Sequence, residues 1–122
     1  MTDLSGLRVL VVEDEGVIAM LLEDMLETLG CEIAGSLARL EQAHTAASTV
    51  SADVALLDVN LNGQPVFPVA ATLVERGIPF VFSTGYGPTG IPSHLASHPV
   101  LSKPYGIKEL ECALYKALER EG

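Results

Sequence analysis

The chain has 122 residues, 48% hydrophobic and 19% charged, with 7 Lys and Arg against 16 Asp and Glu for a formal net charge of −9. This length suits one domain, and a domain of this size buries roughly two-thirds of its unfolded surface without needing a disulfide or metal staple. The composition excludes disorder, the pI near 4.6 excludes a free-standing nucleic-acid binder or a protein held by charge on an anionic membrane, and Cys31 and Cys112 have neither a disulfide framework nor metal-ligand spacing around them.

The N-terminal segment MTDLSGLRVLVVEDE lacks the basic start and long apolar stretch of a signal peptide, so a cytoplasmic setting is expected. Within it, residues 8–12 (RVLVV) are apolar at consecutive positions, which suits a central parallel strand covered on both faces. A helix follows, with Ile18, Leu21, Leu22, Met25 and Leu29 on its buried side and Glu23, Asp24 and Glu27 on the solvated side; Gly30 stands where a helix ends. Met20 and Met25 read as core filler. A weaker strand is expected over 32–36 and an Ala-rich helix over 38–48. The third strand, 54–58 (VALLD), leads into a turn-like NLNGQP segment. Pro65 and Pro68 suit the opening of a third helix that runs to about Glu75 and stops at Gly77.

Residues 80–83 (FVFS) form the fourth expected strand. The Gly- and Pro-rich stretch 85–99 leaves room only for a short or irregular helix, near 93–97. Residues 100–102 give a brief fifth strand. A last helix over 107–119 buries Ile107, Leu110, Leu114 and Leu118. No apolar run approaches the ~20 residues of a membrane span, so the mean hydropathy of +0.36 reflects strands buried on both faces. His44, His94 and His98 have no partner at catalytic spacing and read as solvated.

Five β–α alternations predict an α/β fold: a doubly wound, five-stranded parallel sheet of flavodoxin-like order 2-1-3-4-5, with helices on both faces. Ligand sites in such folds lie at the carboxyl ends of the strands. There the sequence places Glu13, Asp14, Asp58, Thr84 and Lys103. Clustered carboxylates repel unless a cation sits among them, and an all-oxygen ligand set that takes a phosphoryl oxygen suits Mg²⁺. A carboxylate can attack phosphorus to give an aspartyl phosphate, while an ammonium and a hydroxyl neutralise the transferring group. The plain alternative for each residue is structural: Asp14 as a helix cap, Asp58 as a turn residue, Thr84 as a loop hydroxyl, Lys103 as a surface lysine.

In order, VVEDE, ALLDVN, FSTG and LSKPY each follow an apolar strand, and with this set the chain resembles a bacterial response-regulator receiver domain over nearly its whole length. The DVNLNG and FSTGYG segments resemble the single-domain, alphaproteobacterial subgroup with a Phe-Ala-Thr-Gly-like motif. The resemblance implies that Asp58 accepts a phosphoryl group from a phosphohistidine, on a sensor histidine kinase or a histidine phosphotransfer protein. It implies that Glu13, Asp14, Asp58 and the backbone carbonyl of Asn60 hold Mg²⁺. Lys103, before a cis peptide bond to Pro104, pairs with Asp58 or the phosphoryl oxygens, and Thr84 bonds the phosphoryl group and moves with it.

Three positions depart from the common pattern or modulate it. Asn62 stands where many receivers have a proline, and Val100 stands where many have a switch aromatic, so a rotating ring at 100 is not the readout. Tyr86, two residues after Thr84, is placed to shield the aspartyl phosphate. The chain stops just after the last helix, which leads to the expectation of a single receiver domain over 1–122 with no output domain, acting on a downstream protein target through the fourth helix, fifth strand and fifth helix, Tyr115 and Lys116 included. No nucleic acid or membrane is expected as a partner.

Three other readings compete. The domain could be a phosphorylation-independent interaction module that keeps the fold, which the missing aromatic favours and the intact acidic set opposes. An aspartyl phosphatase would need a second Asp two residues after the nucleophile, where Asn60 stands. A nucleotide site would need a Gly-rich loop where Glu13, Asp14 and Glu15 repel phosphate.

Overall fold

The computed structural model describes residues 4–85 and 90–121 of the chain. Strands β1 (Arg8–Val12), β2 (Glu32–Leu37), β3 (Val54–Asp58), β6 (Phe80–Thr84) and β7 (Val100–Ser102) form one parallel sheet in the order β2-β1-β3-β6-β7. This is the expected 2-1-3-4-5 order, with the reversal between β1 and β3. The three central strands are buried along almost their whole length, while β2 and β7 at the edges are partly open. Continuous apolar runs thus mark the strands with a helix layer on each face.

Side chains alternate across the sheet and divide the core in two. Leu10, Val12, Leu57, Phe80 and Phe82 pack against α2 (Leu40–Thr49) and α3 (Phe67–Arg76). Val9, Val11, Leu56 and Val81 pack against α1 (Gly16–Thr28) and α4 (Ile107–Glu121). Gly77 closes α3 in the left-handed conformation, φ 71°. On α4, Leu110 and Leu114 are fully buried, with Ile107 and Leu118 half-buried.

Several details differ from the sequence reading. The NLNGQP segment is an antiparallel hairpin, β4 (Asn60–Leu61) paired with β5 (Gln64–Pro65). Its two turn residues, Asn62 and Gly63, have φ of 52° and 85°, the all-positive pair of a type I′ turn. Pro65 therefore belongs to a strand, and α3 opens with Pro68 in its first turn. On α1, Leu21 and Met20 are 58% and 67% exposed rather than buried, and the inward stripe is Ala19, Leu22 and Leu26. His98 is half-buried and stacks on Phe80 at 4.1 Å between ring centroids; a flat, partly apolar ring is better packed there than in water. The stretch before β7 is as expected: among its described residues the helical element is a short 3₁₀ turn, Ser93–Leu95. Tyr86, singled out above, lies outside the described residues. Among the described residues, no helix is long and apolar enough to cross a membrane.

Candidate functional site

The strands deliver the predicted residues to one edge. Glu13 directly follows β1, Asp58 ends β3, Thr84 ends β6 and Lys103 directly follows β7. Register explains the convergence: Asp58 pairs with Ser83, and Thr84 with Ser102. Glu13, Asp58 and Thr84 are all buried. One carboxylate oxygen from each of Glu13, Asp14 and Asp58 lies within 4.8 Å of the others.

Lys103 closes this cluster from the β7 side. Its Nζ is 2.8 Å from Glu13 Oε1 and 3.2 Å from Asp58 Oδ2. Its backbone N–H donates to the Thr84 carbonyl at 2.8 Å, which continues the β6–β7 ladder past its last strand pair. The Lys103–Pro104 peptide is cis, as expected. Three carboxylates against one ammonium leave a formal charge of −2 when all are ionised. Burial raises the Asp58 pKa to about 7, the Glu13 carboxylate pushes it in the same direction, and Lys103 and the Asn60 N–H oppose the rise. For Lys103, burial disfavours the charged form, but the Glu13 and Asp58 carboxylates outweigh it and hold the ammonium protonated above its ordinary range.

The hairpin has a part in the site that the sequence reading did not assign to it. The Asn62 N–H, at the turn tip, donates to Asp14 Oδ2 at 2.9 Å. Burial raises the Asp14 pKa, but this bond and neighbouring side chains more than offset it and leave the carboxyl below its ordinary value. Asp14 is therefore not the cap of α1. The N-cap of that helix is Glu15, which makes no side-chain capping bond. The positive φ at Asn62 also accounts for the missing proline, whose ring holds φ near −65°. Asn60 sits two residues beyond Asp58, donating its N–H to Asp58 Oδ1 at 3.2 Å, with its own Oδ1 accepting from Gly63 N–H at 2.7 Å. The Asn-Gly dipeptide was the available signal for this hairpin.

A second feature borders the cluster. Val17, Met20 and Leu21 expose an apolar face on α1. A cavity of about 330 Å³ separates Ile18, Leu21 and Met25 from Lys103, Pro104 and Tyr105. The Lys103 ammonium thus stands between an acidic pocket and an apolar surface.

No protein-family model matches the sequence, and no curated protein does. Solved structures do match, along nearly the full chain. SdrG from Sphingomonas melonis Fr1 is 39% identical, with 97% of this chain and 99% of that one covered and a TM-score of 0.83; SdrG in its BeF3-activated conformation gives 0.78. The receiver domain of the PhyR response regulator from Erythrobacter litoralis is 29% identical over 94% of this chain and 92% of that one, TM-score 0.80. The receiver domain of the sensor histidine kinase PA1611 from Pseudomonas aeruginosa, described with magnesium coordinated in its active-site cleft, shares the fold at 24% identity, with 94% of this chain and 99% of that one covered and a TM-score of 0.80. A doubly wound sheet with an acidic cluster and a lysine at its carboxyl edge defines a receiver, and this chain belongs to the response-regulator receiver-domain family.

Proposed function

We propose that the chain is a stand-alone, cytoplasmic response regulator whose Asp58 accepts a phosphoryl group. The donor is a phosphohistidine on a sensor histidine kinase or a histidine phosphotransfer protein. An Asp58 carboxylate oxygen attacks phosphorus, the phosphorus–nitrogen bond breaks, and the departing imidazole keeps the electron pair. The product is an acyl phosphate. The observation that carries this reading is the approach of Lys103 Nζ to Asp58, 3.2 Å, within a cluster of three carboxylates that has no second cation among the described residues.

The donor set fits a hard divalent ion, with Glu13, Asp14, Asp58 and the Asn60 carbonyl as ligands to Mg²⁺. Bound there, Mg²⁺ offsets the charge of the carboxylates and of the incoming phosphoryl oxygens. This chain's own residues supply the rest. Lys103 neutralises a second phosphoryl oxygen, Thr84 donates a hydroxyl hydrogen bond, and the Asn62 N–H keeps Asp14 ionised. The apolar face of α1 and the cavity beside Lys103 suit the phosphohistidine-bearing partner, since both border the acceptor. The phosphorylated state then alters contacts with a downstream protein through the surface of β7 and α4. The chain acts as a single receiver over 1–122, switching through protein contact and catalysing only its own phosphorylation and dephosphorylation.

Val100, a half-buried aliphatic at the edge strand, favours one alternative: an interaction module whose binding ignores phosphorylation. Intact-mass measurement after incubation with Mg²⁺ and a small phosphodonor separates the two. A phosphoryl adduct on the native chain and none on Asp58→Asn is the expected result. No adduct, under conditions that modify a known receiver, supports the alternative.

A further inference from the structure

The β4–β5 hairpin is held at its base and at its tip by different means. At the base, Leu61 is fully buried and the Val66 N–H donates to the Val59 carbonyl at 2.9 Å. At the tip, two successive residues, Asn62 and Gly63, carry φ of 52° and 85°. Glycine takes that region freely, whereas an asparagine, with its Cβ, enters it at a cost. A hairpin whose strands are two residues long is marginal without added support. The support at the tip is a side chain: Asn60 Oδ1 accepts from the Gly63 N–H at 2.7 Å.

The same residue meets the acidic cluster through its backbone. The Asn60 N–H donates to Asp58 Oδ1 at 3.2 Å. The Asn62 N–H, one residue before the clasped amide, donates to Asp14 Oδ2 at 2.9 Å. Residues 58–63 thus tie two carboxylates of the cluster together through the turn. Across the hairpin Asn60 faces Pro65, which has no N–H to claim the Asn60 carbonyl. The Asn60 side-chain oxygen is spent on the turn rather than on the cluster. We propose that the Asn60 side chain is a positioning group: by clasping Gly63 it fixes the Asn62 peptide in the orientation that holds Asp14 for a divalent cation. The proposal rests on the reading of Glu13, Asp14 and Asp58 as that cation's ligands. The side chain then acts through the turn and Asp14, and brings no charge of its own to the site.

The test uses the full chain with Asn60→Ala, Asn60→Asp, Asn62→Pro and the double variant of Asn60→Ala with Asn62→Pro. Asn60→Ala keeps the backbone carbonyl and the net charge, so a weaker affinity for Mg²⁺ has neither a lost backbone ligand nor a lost charge behind it. By calorimetry that affinity should fall about fivefold, the size of one net hydrogen bond. The double variant should lose no more than Asn62→Pro alone. In the metal-free protein the Asn62 amide, followed by hydrogen exchange in NMR, should exchange about fivefold faster in Asn60→Ala. In Asn60→Asp, which keeps an acceptor at the same place, it should exchange at the native rate or more slowly. An Asn60→Ala variant that unfolds sooner in urea yet binds Mg²⁺ as the native chain does would confine the clasp to the fold and overturn the role. An unchanged Asn62 exchange rate, or losses that multiply in the double variant, would overturn it as well. If the native chain itself binds no Mg²⁺, the reading of the three carboxylates as ligands fails and the role of Asn60 with it.

Discussion

The two ends of the sheet treat charge in opposite ways. At the amino end, charge is exposed and balanced: Arg8 meets Glu32 at 3.4 Å with both side chains in solvent, and its backbone N–H and guanidinium are satisfied by Asp53 and the Ser51 carbonyl. At the carboxyl end, charge is buried and unbalanced, with three carboxylates around one ammonium. An exposed pair contributes little to stability, whereas buried like charges cost free energy unless something neutralises them. The difference teaches that the amino end is built to close the fold. The carboxyl end carries a cost that a bound cation would offset.

The comparison predicts a graded series. Removing the one cation that faces the carboxylates among the described residues has the largest effect: Lys103→Met should lower metal-free stability at pH 8 by about 3 kcal/mol, as breaking a buried pair does, and abolish phosphorylation. Urea unfolding and intact-mass analysis check the two halves. Asp58→Asn should do the reverse and stabilise the metal-free protein by about 2 kcal/mol at pH 8, below the ~4 kcal/mol ceiling set by a rise from 3.8 to about 7. The sign follows from proton binding. The folded state keeps a proton that the unfolded chain loses near pH 3.8, so this group's contribution falls as pH climbs from about 4 to about 7 and is level above. The gain from Asp58→Asn should therefore shrink to nothing near pH 4, and a gain independent of pH would contradict the assignment.

Smaller effects sharpen the contrast. Asn62→Pro removes the N–H that holds Asp14 and forbids the φ of 52°; Mg²⁺ affinity, followed by calorimetry, should fall about tenfold, as for loss of a group that orients a metal ligand. At the opposite end, Glu32→Gln should change unfolding by no more than about 0.5 kcal/mol and leave Mg²⁺ binding untouched. An effect of Glu32→Gln equal to that of Asn62→Pro would erase the distinction between the two ends.

The parallel sheet and the residues at its carboxyl edge were legible because β1, β3 and β6 are apolar runs, each ended or followed at once by a polar side chain. Burial on both faces leaves no other reading of those runs, and strand order then fixes which ends converge. The β4–β5 hairpin was less visible. Its strands are two residues long, too short for alternation to show, although Asn62-Gly63 marks the turn. Leu21 and Met20 misled because α1 is apolar on more than one stripe, and periodicity cannot say which stripe meets the sheet. The stacking of His98 on Phe80 joins two segments distant in sequence, which no single segment encodes.

The most direct measurement is the unfolding free energy of the native chain and of Asp58→Asn at pH 8, each with and without Mg²⁺. Without Mg²⁺ the variant is predicted to be the more stable. With Mg²⁺ well above its dissociation constant the native chain should gain more than about 2 kcal/mol by mass action, the variant less, and the order should reverse. Mg²⁺ that leaves both curves in place would contradict the claim that buried negative charge at the carboxyl end awaits a cation.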